Sequence, residues 1–176
     1  MLSRPLDATP EEVRKVLLPL RNQISIALCT LGNAFSVGAI IRVAHSYLVH
    51  EIILIGDTPH YEKASMGMEK YETIVRVADE GAFLEHVEGR PIVCIEKEPA
   101  THSIYDDDVF PENAVLTFGS ERFGTPQILL DQAKQILAVP MYGVNHSLPV
   151  AVCAGIVLSE WARRRYGQTA LAAPSA

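Results

Sequence analysis

The chain has 176 residues, of which 48% are hydrophobic and 20% are charged, with a formal net charge of −6 and a pI of about 5.5. This length fits one domain of ordinary size, and the composition excludes a disordered chain or a disulfide scaffold. The acidic balance excludes a general electrostatic attraction to nucleic acid, so a nucleic-acid partner would need a local basic patch.

The N-terminal residues carry the signature of a short helix. Thr9 is a suitable N-cap, Pro10 suits the first helical position, and Glu12 completes a capping box. The apolar residues that follow fall on one helical face: Val13, Val16, Leu17 and Leu20. We therefore predict a helical extension over residues 1–22 that packs against the main domain.

The central part of the chain alternates between two patterns. Short apolar runs typical of buried strands occupy residues 24–31, 51–56, 73–77, 91–95, 114–118 and 136–139. Helical periodicity covers residues 37–47, 80–87, 125–134 and 147–166, whereas residues 66–71 form a loop of undefined structure. The alternation predicts an α/β domain over residues 23–166 with a mostly parallel sheet and helices on both faces. Residues 167–176 are predicted to be a disordered tail.

Cysteine and histidine usage predicts neither disulfides nor a metal site. Cys29, Cys94 and Cys153 each lie in an apolar run without paired spacing, which predicts buried, reduced thiols and a cytoplasmic location. The six histidines show no metal-ligand spacing. No apolar run reaches the ~18 residues that a membrane span requires, so we expect a soluble protein with no membrane partner.

Two turns late in the chain are candidate ligand sites. Residues 118–124 (FGSERFG) and 139–148 (VPMYGVNHSL) each follow a strand and precede a helix. Ligands of open α/β sheets bind at the carboxyl ends of strands, and helix starts offer free N–H groups. The sequence contains neither a G-x-G-x-x-G fingerprint nor a P-loop, which excludes the common nucleotide sites.

Together with residues 33–42 (NAFSVGAIIR), these turns resemble the three motifs of the SpoU family of RNA methyltransferases, in the SPOUT superfamily. The third motif continues into Ser147, Leu148 and a long helix. The resemblance covers roughly residues 24–165, with the three motifs in the family's order and spacing.

This resemblance implies a fold, a cofactor and a reaction. Family members carry a deep trefoil knot at the C-terminal end, bind S-adenosylmethionine within it, and are commonly homodimers with the active site at the interface. The implied reaction is methyl transfer to a ribose 2′-hydroxyl of tRNA or rRNA. The residues expected to contact the cofactor are Ile95, Glu96, Gly119, Gly124, Val139, Met141, Ser147 and Leu148.

The resemblance also implies catalytic positions at Arg42, Glu121, Asn33 and Ser36. Arg42 matches the family's catalytic arginine. Because a guanidinium holds its proton above pH ~12, we expect it to orient the hydroxyl and stabilise developing negative charge. Glu121 is expected to hold this guanidinium by a charge-assisted hydrogen bond. Ser36 and Pro149 stand where the family usually has asparagine, and proline cannot donate a hydrogen bond.

Other interpretations of the same residues stay open. Arg42 alone would be a structural ion-pair partner, and Glu121 a charge that stabilises the start of the helix after it. Basic residues near both ends are either solvated or in contact with RNA phosphate: Arg14, Lys15, Arg21 and residues 163–165. Two other functions are a cofactor- and RNA-binding protein with little or no catalysis, and an unrelated small-molecule-binding α/β domain.

Overall fold

The computed structural model describes residues 8–167, so nearly all of the predicted tail lies outside the described residues. The helices are α1 Pro10–Leu17, α2 Ala34–Ser46, α3 Glu62–Ser65, α4 Glu80–His86, α5 Gln127–Gln132 and α6 Val150–Tyr166. The strands are β1 Ser25–Cys29, β2 Ile52–Ile55, β3 Ile74–Val77, β4 Ile92–Ile95, β5 His102–Ser103, β6 Val115–Phe118 and β7 Gln135–Ala138. None of the helices in this part of the chain has both the length and the apolar character that crossing a bilayer requires.

The strands form one seven-stranded sheet in the order β3-β2-β1-β6-β4-β7-β5. The described strand pairings are all parallel, which confirms the prediction of a mostly parallel sheet. Four strands, β1, β2, β4 and β6, are buried along their whole length. They read as continuous apolar runs because both of their faces are covered. Strands β2 and β3 lie on one side of β1, and the four later strands lie on its other side, with β6 placed between β1 and β4.

Helices cover both faces of the sheet, as the sequence predicts. In β1, Ile26 and Leu28 belong to a core cluster that includes residues of α2 and α6. The alternate residues Ala27 and Cys29 belong to a second cluster that includes residues of α4 and α5. Successive side chains of a strand point to opposite faces, so the two clusters form separate layers on either side of the sheet.

Helix α1 begins as predicted but is less firmly packed than expected. The Thr9 hydroxyl accepts the Glu12 N–H at 3.3 Å, and the Glu12 carboxylate accepts the Thr9 N–H at 2.8 Å, which completes the capping box. Of the predicted apolar face only Leu17 is fully buried, whereas Val16 is 61% and Leu20 47% exposed. The helix ends at Leu17, and the 3₁₀ turn at Leu18–Leu20 that follows changes the direction of the chain.

Four local features differ from the sequence prediction. Helix α6 begins at Val150 rather than Ser147, because Pro149 takes an extended conformation with φ −53° and ψ 133°. Helix α3 and strand β5 were not predicted, since four and two residues are too few to show a periodicity. The predicted loop at residues 66–71 contains a 3₁₀ turn at Met68–Lys70. The trefoil knot stays a prediction.

A buried ion-pair cluster at Glu72 lies at the amino edge of the sheet, just before β3. The Glu72 carboxylate accepts hydrogen bonds from Arg21 at 2.7 and 3.1 Å and contacts His45 Nδ1 at 2.7 Å. The Arg21 side chain is 6% exposed and also donates to the carbonyls of Val49 and Tyr71. Arg21 is therefore part of the interior and not of a solvated or RNA-binding surface.

A second cluster surrounds Glu51 at the same edge, just before β2. Its carboxylate accepts from Arg90 at 2.7 Å and contacts His86 Nε2 at 3.0 Å, while Arg90 also donates to the Ser25 hydroxyl at 2.7 Å. Burial raises the pKa of Glu51, but the hydrogen bonds and charges of His86 and Arg90 lower it by a larger amount. The pKa of Glu51 therefore lies below its ordinary value. The same balance, with His45 and Arg21, lowers the pKa of Glu72. Both glutamates are ionised and paired near neutral pH.

Candidate functional site

A cavity of about 190 Å³ opens at the carboxyl edge of the sheet. Its walls come from the ends of β4, β6 and β7, from the loops after β6 and β7, and from the start of α6. Its lining includes every position that the sequence predicts for the cofactor: Ile95, Glu96, Gly119, Gly124, Val139, Met141, Ser147 and Leu148. Parallel strands bring these residues together because their carboxyl ends meet at one edge.

The loop after β6 is a closed hairpin that requires glycine at two positions. The Gly124 N–H donates to the Ser120 carbonyl at 2.8 Å, and the Ser120 N–H donates to the Gly124 carbonyl at 3.2 Å. A Cβ on Gly119 would lie 2.2 Å from the carbonyl carbon of Gly124, so a larger residue does not fit. Gly124 has a φ of +69°, a conformation that favours glycine. The loop is therefore a compact, specified turn.

Glu96 fastens this hairpin to the end of β4. One carboxylate oxygen accepts the Thr125 N–H at 2.9 Å, and the other accepts the Lys97 N–H at 3.1 Å. A Cβ on Gly124 would lie 2.9 Å from the first of these oxygens, which shows how closely the carboxylate and the hairpin pack. A carboxylate accepts about four hydrogen bonds. Glu96 therefore keeps acceptor capacity for a ligand in the cavity.

Glu121 joins the same hairpin to the last helix. Its Oε1 atom accepts the N–H of Val150, the first residue of α6, at 3.3 Å. Pro149 at the N-cap provides no side-chain hydrogen bond, so Glu121 supplies the negative charge that favours a helix N-terminus. The sequence suggested such a role at the helix directly following Glu121, which is α5. The structure places this interaction at α6 instead, and it holds together two walls of the cavity.

Arg42 does not lie in this cavity. It is exposed on α2, and its side chain forms no hydrogen bond or ion pair with another residue between 8 and 167. Within one chain Glu121 accepts the Val150 N–H instead of a hydrogen bond from Arg42, and a contact between Arg42 and Glu121 stays a prediction. The alternative role of Arg42 as a structural ion-pair partner likewise finds no partner in the described part of the chain.

Asn33 and Ser36 form the start of α2. The Asn33 side-chain oxygen accepts the N–H groups of Phe35 at 3.0 Å and Ser36 at 3.4 Å, which makes Asn33 the N-cap. Ser36 is buried, and neither residue lines the cavity. Capping accounts structurally for the asparagine, and the catalytic roles of both residues stay predictions.

Four polar cavity residues were not among the predicted site positions. Ser120 lies within the second motif, Lys97 directly follows β4, and His146 lies in the third motif, where the sequence left its role open. Cys153 of α6 also lines the cavity as a free thiol. Burial raises the pKa of Cys153 to about 11, so the thiol is protonated near neutral pH and is a poor nucleophile. Position next to a strand end is the signal that would have found Lys97.

A larger groove of about 500 Å³ lies at the opposite edge of the sheet. Its arginines are engaged within the chain: Arg21 with Glu72, Arg164 with Glu160, and Arg165 with Glu112 at 3.5 Å. This groove lies before the first residues of β1 and β6, whereas open α/β sheets bind ligands at the carboxyl edge. The smaller cavity is therefore the candidate site. Residues 8–167 contain no cluster of three or more histidine, cysteine or acidic side chains arranged for a metal ion.

Comparison with known proteins identifies the family. The SpoU rRNA Methylase family matches residues 23–159, so the chain belongs to this family.

Two solved structures illustrate the likeness. An AdoMet-bound rRNA methyltransferase from Sinorhizobium meliloti is 28% identical, with a TM-score of 0.73 over 88% of this chain and 60% of that one. The TrmH/SpoU tRNA-modifying enzyme of A. aeolicus shares the fold, with a TM-score of 0.78 at 24% identity over 94% of this chain and 87% of that one.

Among curated relatives, the 23S rRNA (guanosine-2′-O-)-methyltransferase RlmB of Acinetobacter baylyi is 27% identical over 93% of this chain and 69% of its own length. A tRNA/rRNA methyltransferase of Mycobacterium ulcerans is 23% identical over 90% of this chain. The chain spans only 53% of that mycobacterial protein and 62% of the SpoU methyltransferase AviRb from Streptomyces viridochromogenes.

Proposed function

We propose that this chain binds S-adenosylmethionine (AdoMet) in the carboxyl-edge cavity and methylates a ribose 2′-hydroxyl of tRNA or rRNA. The observation that carries the proposal is the convergence of all the predicted cofactor positions, from three separate segments, on one cavity. Two relatives support it: the rRNA methyltransferase of Sinorhizobium meliloti binds AdoMet, and RlmB of Acinetobacter baylyi is a 23S rRNA guanosine-2′-O-methyltransferase. The free, buried thiols of Cys29 and Cys94 suit a reducing compartment such as the cytoplasm.

The cavity has the chemistry that AdoMet requires. Apolar walls from Ile95, Val139 and Leu148 suit an adenine ring, and the hydroxyls of Ser120 and Ser147 suit its polar substituents. The carboxylates of Glu96 and Glu121 both line the cavity and favour the positive sulfonium and ammonium groups. When bound, AdoMet supplies an electrophilic methyl group.

Arg42 would act on the attacking ribose. Its guanidinium keeps its proton, so it would orient the 2′-hydroxyl and stabilise the negative charge that develops on oxygen as the hydroxyl proton leaves. Since Arg42 is exposed and outside the cavity of its own chain, we propose that it reaches the cavity of a second copy in a homodimer. The active site would then be incomplete in a monomer.

Calorimetric titration with AdoMet tests cofactor binding. We expect saturable one-to-one binding with a Kd of about 1–100 μM. Transfer of labelled methyl to total RNA of the source organism, followed by alkaline hydrolysis, tests the reaction. Methylation of a 2′-hydroxyl removes the nucleophile that cleaves the adjacent phosphodiester, so the label will appear in alkali-resistant dinucleotides. Label in mononucleotides would indicate base methylation and contradict the proposal.

A second candidate function is a cofactor- and RNA-binding protein with little or no catalysis. The buried Ser36 and the N-cap Pro149, which replace asparagines usual in the family, favour it. Proline at this position provides no side-chain hydrogen bond to α6 or to a ligand. Clear AdoMet binding without methyl transfer to any RNA of the source organism would favour this candidate over the enzyme.

A further inference from the structure

An exposed aromatic ring stands at the tip of the hairpin that borders the cavity. Phe123 is 79% exposed, although its neighbours Glu121 and Gly124 both line the cavity. The guanidinium carbon of Arg122 lies 5.0 Å from the centroid of the Phe123 ring. This pair presents an apolar surface and a positive charge side by side on a loop that borders the cavity.

The hairpin fixes the backbone that carries this ring. The Phe123 N–H donates to the Ser120 hydroxyl at 3.1 Å, and backbone hydrogen bonds between Ser120 and Gly124 close the turn. Glu96 fixes the end of the hairpin through the Thr125 N–H at 2.9 Å. Because this backbone is already ordered, a ligand that stacks on Phe123 need not also order the loop.

Two cations, Lys97 and Arg122, lie in the segments that border the cavity, although the chain carries a net charge of −6. Within residues 8–167 neither Lys97, which lines the cavity, nor Arg122 forms an ion pair. The nearby carboxylates of Glu96 and Glu121 are directed at backbone N–H groups of Thr125 and Val150. Lys97 and Arg122 are therefore available to an anionic ligand as cations without an ion pair in the described part of the chain.

A second exposed aromatic residue belongs to the other loop of the cavity. Tyr142 is 95% exposed and directly follows Met141, which lines the cavity. Each of the two loops that shape the cavity thus presents one aromatic ring to solvent. Aromatic rings combined with cations are the recurring surface for unpaired nucleotides, because every base has a face that can stack.

We propose that Arg122 and Phe123 form a stacking platform for an unpaired RNA base adjacent to the ribose that enters the cavity, with Arg122 and Lys97 contacting phosphate. This inference rests on the proposed function and makes it more specific. An A-form duplex keeps its base faces stacked within the helix, so this platform selects a single-stranded loop, bulge or end. The methylated nucleotide therefore lies in an unpaired segment.

Fluorescence anisotropy with a labelled, unstructured 12-nucleotide RNA tests the platform. We expect Phe123→Ala to weaken binding by about 5- to 100-fold and Phe123→Trp to retain it within about twofold, because stacking on an aromatic face is what is lost. Binding to a 12-base-pair RNA duplex and the calorimetric Kd for AdoMet will stay unchanged in both variants. Tyr105→Ala, which removes an exposed aromatic side chain outside the cavity, is the matched control.

Three results would overturn the platform: single-strand affinity that is unchanged in Phe123→Ala, an equal loss for single strand and duplex, or no RNA binding by the native chain. Dissociation of a dimer by Phe123→Ala in analytical ultracentrifugation would assign the ring to a second copy of the chain and also overturn it. Failure of the proposed function would give a different experimental result. In that case the native chain binds single-stranded RNA through Phe123 but does not bind AdoMet.

Discussion

The two edges of the sheet use the same residue types in opposite ways. At the amino edge, Glu51 and Glu72 are each paired with an arginine and a histidine inside the protein. At the carboxyl edge, Glu96 and Glu121 bind backbone N–H groups, and their side chains line an open cavity. One edge satisfies its charges within the chain, whereas the other leaves acceptors and cations for a ligand.

Whether a charged side chain is paired within the chain depends on its surroundings and not on its residue type. Arg21 and Arg42 are both arginines next to apolar sequence, yet Arg21 makes four hydrogen bonds and is 6% exposed, while Arg42 is exposed without a side-chain partner in the described part of the chain. A buried charge must be paired because desolvation is costly. An exposed charge without such a partner carries little of this cost and is accessible from solvent.

The largest expected effect is a loss of stability when an ion pair at the amino edge of the sheet is removed. Glu72→Gln keeps the size of the side chain but leaves the buried Arg21 guanidinium without its counter-charge, so we expect the free energy of unfolding to fall by about 3–5 kcal/mol. Urea denaturation measures this change. Glu11→Ala, which removes the exposed ion pair with Lys15, is the control and should change stability by less than about 1 kcal/mol. Similar values for the two variants would contradict the assignment of Glu72 to the core.

The next effect concerns catalysis and not folding. We expect Arg42→Ala to lower kcat for RNA methylation by about 100- to 1,000-fold, the loss typical of removing one donor to a developing oxyanion. Stability and AdoMet affinity should remain at native values, because the side chain is exposed and outside the cavity. Lys134→Ala, which removes another exposed cation, should retain full activity. Full activity of Arg42→Ala would remove its proposed role.

Mixing two impaired variants tests whether Arg42 acts in the cavity of a second copy. If a second copy supplies Arg42, Arg42→Ala mixed with a cavity variant such as Gly119→Ala should regain part of the activity that neither variant has alone. Mixed dimers then contain one site with an intact cavity and an intact arginine. Activity that does not rise above the sum of the separate variants, once subunit exchange is shown, would place Arg42 and the cavity in the same chain.

A pair of glycines tests the carboxyl edge. In Gly119→Ala the new Cβ would meet the Gly124 backbone at 2.2 Å, so the hairpin must shift, and we expect AdoMet affinity to fall at least about tenfold. In Gly155→Ala of α6 the new Cβ has no atom within 4 Å, and the substitution should stabilise the helix by up to about 1 kcal/mol without changing AdoMet affinity. Calorimetry and urea denaturation distinguish the two. Native AdoMet affinity in Gly119→Ala would show that the hairpin does not shape the site.

The smallest effect is the pH dependence of stability. The folded-state pKa of Glu51 lies below its ordinary value, because the effects of His86 and Arg90 outweigh burial. Glu51 therefore contributes fully to the free energy of unfolding above about pH 4.3, the pKa of glutamate in an unfolded chain. This contribution is lost as the pH falls through the lower pKa of the folded state. Urea midpoints should decline on acidification below about pH 4.5, and less steeply in Glu51→Gln. Parallel profiles for the two proteins would contradict this contribution.

Much of the fold could be predicted because it depends on local chemistry. Strands β1, β2, β4 and β6 appear as uninterrupted apolar runs, and the capping box at Thr9 marks the start of α1. The glycines, the prolines and the order of the motifs located the two cavity loops in the sequence. These signals are readable because solvent exclusion and backbone capping act on residues close together in sequence.

The tertiary structure decided which distant groups meet. Only the insertion of β6 between β1 and β4 explains why Glu96 reaches Thr125, and only the packing of α6 explains why Glu121 caps Val150 instead of pairing with Arg42. The burial of Arg21 against Glu72 likewise joins residues 51 positions apart. The sequence by itself determined the longer elements, the family and the cavity loops, because those follow from local pattern. The partners of its charged side chains were decided only by long-range packing, since a hydrogen bond depends on distance in space and not along the chain.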